Sequence, residues 1–176
     1  MSILEAIAAS AGRRNLSFLL VGGHAVIAHG YSRATFDIDL IIRRLDQDVW
    51  KEVLCEQHYS LEREGPTFVQ FHHLERQTPP LDLMLANEET FAKLWSQAIS
   101  SPAGGGGARV PSLLHLLALK CHAIKYGHPG RIVKDADDVI RLIQVNRLDV
   151  NSPELREIFL KHATPEFYEK IQRICR

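Results

Sequence analysis

Two aspartates stand two positions apart in the run Thr35-Phe36-Asp37-Ile38-Asp39-Leu40, and a third, Asp82, lies between Leu81 and Leu83. In an extended chain residues i and i+2 share a side, so Asp37 and Asp39 put two like charges on one face. Such a pair repels unless a cation lies between its members, and Mg²⁺ with its preference for oxygen ligands fills that role. The competing possibility is an exposed strand with a solvated polar face. Asp82 extends the set: two bridged metal ions need several acidic oxygens together with a triphosphate, and a third acid can also take the proton of an attacking hydroxyl. Just upstream, the apolar run from Leu16 to Val21 ends in Gly22-Gly23. Glycines between a strand and a helix let backbone N–H groups approach phosphate oxygens, although a Gly-Gly turn has a purely structural use as well.

The elements that must hold these residues follow from periodicity. Ile3, Leu4, Ile7, Ala8 and Ala11 have helical spacing; Leu16–Val21 is a short buried strand, and His24–His29 a helix stopped by Gly30. Thr35–Ile42 alternates as a strand, with Phe36, Ile38, Leu40 and Ile42 on one face and the two acids on the other. Asp46 is a candidate N-cap for a helix to about Gln57; strand character follows near 59–63, 67–73 and Leu81–Leu85, then an Asn87-capped helix. SPAGGGGARVP marks a flexible loop, and its tetraglycine at 104–107 opens no helix, which makes it a surface loop rather than a phosphate cradle. Helices follow from Ser112, from about Arg131 to Val145, and after Ser152-Pro153 and Thr164-Pro165, each of the last two pairs an N-cap with proline at the first helical position. Strands with helices first and helices last predict an α/β (α+β) fold: a small mixed-sheet core over 1–110 with flanking helices, and a helical C-terminal part over 111–176 packing on it.

An apolar strand, a Gly-Gly turn, an Asp-apolar-Asp about a dozen residues on and a later strand acid together resemble the DNA polymerase β-like nucleotidyltransferases. Gly22-Gly23, Asp37-Ile38-Asp39 and Asp82 match that pattern in order and spacing. The wording GGHAVIAHGYSRATFDIDL is most similar to the abortive-infection (AbiEii-type) toxin nucleotidyltransferases, in which an Arg and a Thr precede the first acid, as Arg33 and Thr35 do. The resemblance covers roughly residues 15–145. It implies transfer of a nucleoside monophosphate from an NTP to an acceptor hydroxyl, with two Mg²⁺ held by Asp37, Asp39 and Asp82, phosphate held by Gly22 and Gly23, and Arg33 and Thr35 contacting phosphate or fixing the acidic strand. The second glycine stands where many relatives have serine, so one hydroxyl contact is missing.

In the helix after Ser112, Leu113, Leu117, Lys120 and Ile124 put a lysine inside an apolar stripe, where burial is costly unless an anion meets it. A snorkelling lysine at the helix edge is the plain alternative. The toxin resemblance implies instead a triphosphate ligand, and pairs Lys120 with a Lys-Asp-x-x-Asp stretch on the next helix, here Lys134, Asp135 and Asp138, which could equally be a surface ion network.

Composition narrows the partners. The 176 residues carry 21 basic and 21 acidic side chains and 45% hydrophobic residues, enough for one core and without a global field to gather nucleic acid or anionic membrane. Local pairs, Arg13-Arg14 and Arg43-Arg44, with Lys125 and Arg131, could still rim an RNA site, or be ordinary surface charges. Cys55, Cys121 and Cys175 are an odd set without metal spacing, consistent with a reduced cytoplasmic protein. The N-terminal basic residues follow the apolar ones, the reverse of a secretory signal, and no apolar run is long enough for a membrane span. Nine histidines offer no zinc spacing: His72-His73 alternate faces, and His115 and His122 lack a supporting acid or cysteine. The expected partners are therefore an NTP, an acceptor that is an RNA end if the toxin resemblance extends that far, and a possible antitoxin protein. An antibiotic-modifying nucleotidyltransferase and a non-catalytic nucleotide-binding protein of the same fold stay open as alternatives.

Overall fold

The computed structural model describes residues 1–103, 106–127 and 129–175, in two compact units: residues 1–28 with 33–112, and residues 29–32 with 113–175. Gly104 and Gly105 of the tetraglycine, His128 and Arg176 lie outside the described residues.

The first unit is built on a seven-stranded mixed sheet. Its strands are β1 (Phe18–Leu20), β2 (Ile38–Arg43), β3 (Tyr59–Glu64), β4 (Phe68–His73), β5 (Leu81–Ala86), β6 (Ile99–Ser100) and β7 (Arg109–Val110), in the order β3-β4-β5-β2-β1-β7-β6. β2 runs parallel to β5 and β1 parallel to β7; the other neighbours are antiparallel. The helices are α1 (Ile3–Arg13), α2 (Gly22–Ala28), α3 (Gln47–Glu56) and α4 (Glu88–Ser96). α1 opens on a capping box, Ser2 Oγ accepting from the Glu5 amide while Glu5 accepts from the Ser2 amide at 2.8 Å, and Asn87 caps α4 through the Thr90 amide. The core is apolar and close-packed, with Ile7, Leu19, Leu20, Leu40, Ile42, Leu54, Leu81 and Leu83 fully buried and Phe18 meeting Trp50 edge-on at 5.5 Å. Burying each such side chain contributes about 1.5–3 kcal/mol.

Several boundaries differ from those the sequence predicts. β2 begins at Ile38 rather than Thr35, and Phe36 is 82% exposed instead of sharing the core face. The reason is pairing: β5 begins at Leu81, opposite Ile38, so residues 35–37 have no ladder to join. α2 begins at Gly22, two residues before the predicted start. Asp46 stands at the N-cap position of α3, as predicted, but its side chain makes no capping hydrogen bond; a 3₁₀ turn over Arg44–Asp46 precedes the helix, and the Asp46 carboxylate accepts from Arg43 Nε at 2.7 Å. The segment read as loop contributes β7, and β6 lies just before it, both two-residue strands too short to show a period; Val110 is buried beside β1.

The second unit is helical: α5 (Leu113–Tyr126), α6 (Pro129–Val145), α7 (Pro153–His162) and α8 (Pro165–Ile174). Ser152 and Thr164 cap α7 and α8 with proline in the first turn, as the two Ser/Thr-Pro pairs predict. Leu116, Leu117, Leu142, Ile143, Phe159 and Ile171 are buried in it, and Phe159 stacks on Tyr168 at 5.0 Å. Residues 29–32 belong to this unit: Asn146 Nδ2 donates to the His29 carbonyl at 2.9 Å and the Tyr31 hydroxyl to Asp137 at 3.0 Å. Among the described residues no helix is long and apolar enough to cross a membrane.

Candidate functional site

The glycine turn and the acidic strand are fitted to each other atom by atom. Gly22 adopts φ +55°, a conformation side chains rarely take, and a Cβ built on it would lie 1.8 Å from Asp39 Oδ2 and 2.6 Å from Asp39 Cγ. The carboxylate therefore rests on the bare face of the turn. The Val21 amide donates to the Asp39 carbonyl at 2.9 Å, tying the end of β1 to β2 at the same residue. One step along, a Cβ on Gly23 would meet Thr35 Oγ1 at 2.2 Å and Arg33 Nη1 at 3.1 Å. Gly23 is thus where Thr35 and Arg33 close in; Thr35 Oγ1 donates to Asp37 Oδ1 at 3.1 Å and Arg33 Nη1 to the Ala34 carbonyl at 2.9 Å.

Sheet register places the third acid. Asp39 and Asp82 are directly opposed across the parallel β2–β5 pair, so their side chains leave the same face. Ile38, Leu40, Leu81 and Leu83 fill the other face as core. Asp82 is opposed on its far side by Gln70 of β4, whose Nε2 stands 3.2 Å from both carboxylate oxygens. Asp39 is 1% exposed, while Asp37 and Asp82 are half-buried. His24, in the first turn of α2, titrates below its ordinary range, first because it is half-buried and further because of Arg33, with the charge of Asp37 opposing. At neutral pH it stands as a neutral imidazole beside these groups.

The structure brings Gly22, Gly23, Arg33, Thr35, Asp37, Asp39 and Asp82 together in the first unit. Lys120 lies in the helical unit, 7% exposed, donating to Asp135 Oδ1 at 2.5 Å and Asp138 Oδ2 at 2.7 Å. The anion that its burial requires is supplied within this unit by two carboxylates of α6. Lys134, on α6, is solvent-exposed. Two neighbours escaped the sequence argument, His24 and Gln70. The signal for Gln70 was a polar residue alternating with buried Val69 and Phe71 in the strand TFVQFHH, legible only once that strand is known to lie beside Asp82.

The donors facing one another are all carboxylate oxygens, the chemistry of a hard divalent cation rather than of zinc. Among the described residues no group of three or more His, Cys, Asp and Glu side chains could hold a metal ion. The carboxylates fit Mg²⁺ in donor type, though not in number by themselves.

The architecture is that of the nucleotidyltransferase fold. ANT(2")-Ia, solved with adenylyl-2"-tobramycin, superposes with a TM-score of 0.62 at 16% identity over 95% of this chain and 93% of its own. An antigenic nucleotidyltransferase-like protein from Paracoccidioides brasiliensis gives 0.56 at 15% identity over 97% and 90%, and the lincosamide adenylyltransferase LnuA, solved with lincomycin, 0.51 at 16% over 77% and 90%. No family profile matches the sequence, and no curated protein matches it by sequence.

Proposed function

We propose that this chain is a Mg²⁺-dependent nucleotidyltransferase that moves a nucleoside monophosphate from an NTP to an acceptor hydroxyl. The observation that carries the proposal is the Asp39 carboxylate seated on Gly22 with Asp82 in register beside it. A strand that needed only a polar surface would have no use for an acid buried to 1% exposure against a side-chain-free turn. In the reaction the acceptor oxygen forms a bond to the α-phosphorus, the bridging bond to the β-phosphate breaks, and pyrophosphate leaves with the electron pair. Asp82 accepts the hydroxyl proton, while Asp37, oriented by Thr35, and Asp39 hold the cations. Bound Mg²⁺ supplies charge neutralisation of the triphosphate and of the negative charge that builds at phosphorus. Gly22 and Gly23 admit the phosphates close to the backbone, and Arg33 lies over Gly23 to meet them.

For the acceptor, the arginine pairs favour a small hydroxylated molecule over an RNA end. Arg14 is tied to Glu52 and Glu56, Arg43 to Asp46 at 2.7 Å with Glu88 at 3.9 Å, and Arg44 to the Pro66 carbonyl at 2.6 Å. Guanidinium groups engaged in this way have less to give a phosphate backbone. Small acceptors also stand in the names of two fold neighbours, the tobramycin adduct and the lincomycin complex.

Incubation with each α-labelled NTP, Mg²⁺ and a cell extract, followed by separation of RNA, protein and small molecules, tests both parts. Label should enter a small-molecule fraction, vanish with EDTA and fall at least about a hundredfold with Asp39→Asn, roughly the 3 kcal/mol of barrier lost with a metal ligand. Absence of label from every NTP would sink the activity; label in RNA, lost steeply between about 50 and 200 mM salt, would overturn the acceptor class.

A further inference from the structure

Partners of two kinds meet the carboxylates of this chain. In the helical unit, Asp135 and Asp138 receive an ammonium, Lys120, which neutralises charge. In the sheet unit Asp46 likewise receives a cation, Arg43, while the Thr35 hydroxyl donates to Asp37 and the Gln70 carboxamide to Asp82, neutral donors that orient a carboxylate without themselves neutralising it. A cation offsets the charge of the carboxylate it meets, whereas a hydroxyl or carboxamide donor fixes its direction only.

Gln70 reaches Asp82 through the sheet itself. The residues are directly opposed on β4 and β5, and Nε2 lies 3.2 Å from each carboxylate oxygen. An ionised carboxylate only accepts hydrogen bonds, so the amide group turned toward it must be the NH₂ rather than the carbonyl. Both side chains are half-buried and carried on paired strands, whose register keeps their backbones opposite each other. One residue further along the same row, Arg63 of β3 is opposed to Gln70. Its guanidinium lies over the Phe68 ring at 5.2 Å. A neutral amide thus stands in the sheet row between the acid and that cation.

We infer that Gln70 is a positioning residue for the transfer reaction: its carboxamide holds the Asp82 carboxylate in the orientation that receives the acceptor's proton, without neutralising it. This rests on the nucleotidyltransferase reading above. It goes beyond that reading in giving a specific side chain on β4 a role in turnover and in requiring the donor to be uncharged.

Two substitutions separate the requirements. Gln70→Met keeps length and volume and removes the donor; Gln70→Lys keeps a donor of similar reach and adds the charge. With label transfer to the acceptor as the assay, each should lower kcat by tenfold or more. Gln70→Met should leave KM for the NTP within twofold and the melting temperature within a few degrees, because the nucleotide contacts and the core face are untouched. Full kcat in Gln70→Met would overturn the positioning role, and full kcat in Gln70→Lys would overturn the need for a neutral donor. A Gln70→Met protein that melts far lower, or loses KM and kcat together, would make Gln70 structural and likewise overturn the inference. Failure of the wild-type protein to transfer label from any NTP is a different result: it removes the activity itself, and this inference with it.

Discussion

Gly22→Ala tests the fit between the glycine turn and the acidic strand most directly. The added methyl would lie 1.8 Å from Asp39 Oδ2, well inside van der Waals contact, and would sit on a backbone at φ +55°. The left-handed conformation alone costs a non-glycine residue about 1–2 kcal/mol. Displacing a buried carboxylate off its rotamer, or shifting β2, adds a further ~1–2 kcal/mol. A total of about 2–4 kcal/mol corresponds, in a chain of this length, to a melting temperature roughly 5–15 °C lower. Because the atom displaced is a proposed cation ligand, a shift of about 1 Å should also cost on the order of a hundredfold in transfer rate. The double variant isolates the contact: Asp39→Ala removes the oxygen and the Cγ that the methyl would strike, so Gly22→Ala should cost about 1–2 kcal/mol less in that background than alone, by thermal or denaturant unfolding. Additivity within about 0.5 kcal/mol, or a Gly22→Ala protein with wild-type melting and activity, would refute the packing of turn against carboxylate.

Further outcomes follow from buried groups. Lys120→Met should destabilise by about 3–5 kcal/mol, since it strands two buried carboxylates, and part of that loss should return when Asp135→Asn and Asp138→Asn are added; denaturant unfolding measures both. A Lys120→Met protein of unchanged stability but weakened NTP binding would instead support the triphosphate role that the toxin resemblance implies. Burial holds the Cys121 thiol and the Tyr59 phenol at about 12, above their ordinary values, so the folded state keeps protons there that the unfolded chain releases. Stability should therefore be fully present below about pH 9 and fall as pH rises toward 12, a fall that Cys121→Ala lessens; native Cys121 should also resist alkylation at pH 8.5 while exposed Cys55 reacts.

The acids and glycines of the candidate site stood out in the sequence because their signal is local. A period of two marked Asp37 and Asp39 as a pair, although Asp37 falls just before β2 rather than within it, and a pair of glycines after an apolar run needs no partner to be recognised as a turn. Cap chemistry is local too, and Ser152-Pro153, Thr164-Pro165 and Asn87 open helices where their types predict. Pairing across the sheet is not local. That β2 starts at Ile38 and leaves Phe36 in solvent was decided by where β5 begins; that Asp82 has a neutral donor was decided by the β4–β5 register. The stripe around Lys120 correctly predicted a buried cation in need of an anion, but the spacing on one helix carries no information about which anion arrives. Only the packing of α6 against α5 supplied Asp135 and Asp138, because a buried charge takes whatever counter-charge the neighbouring element brings within reach.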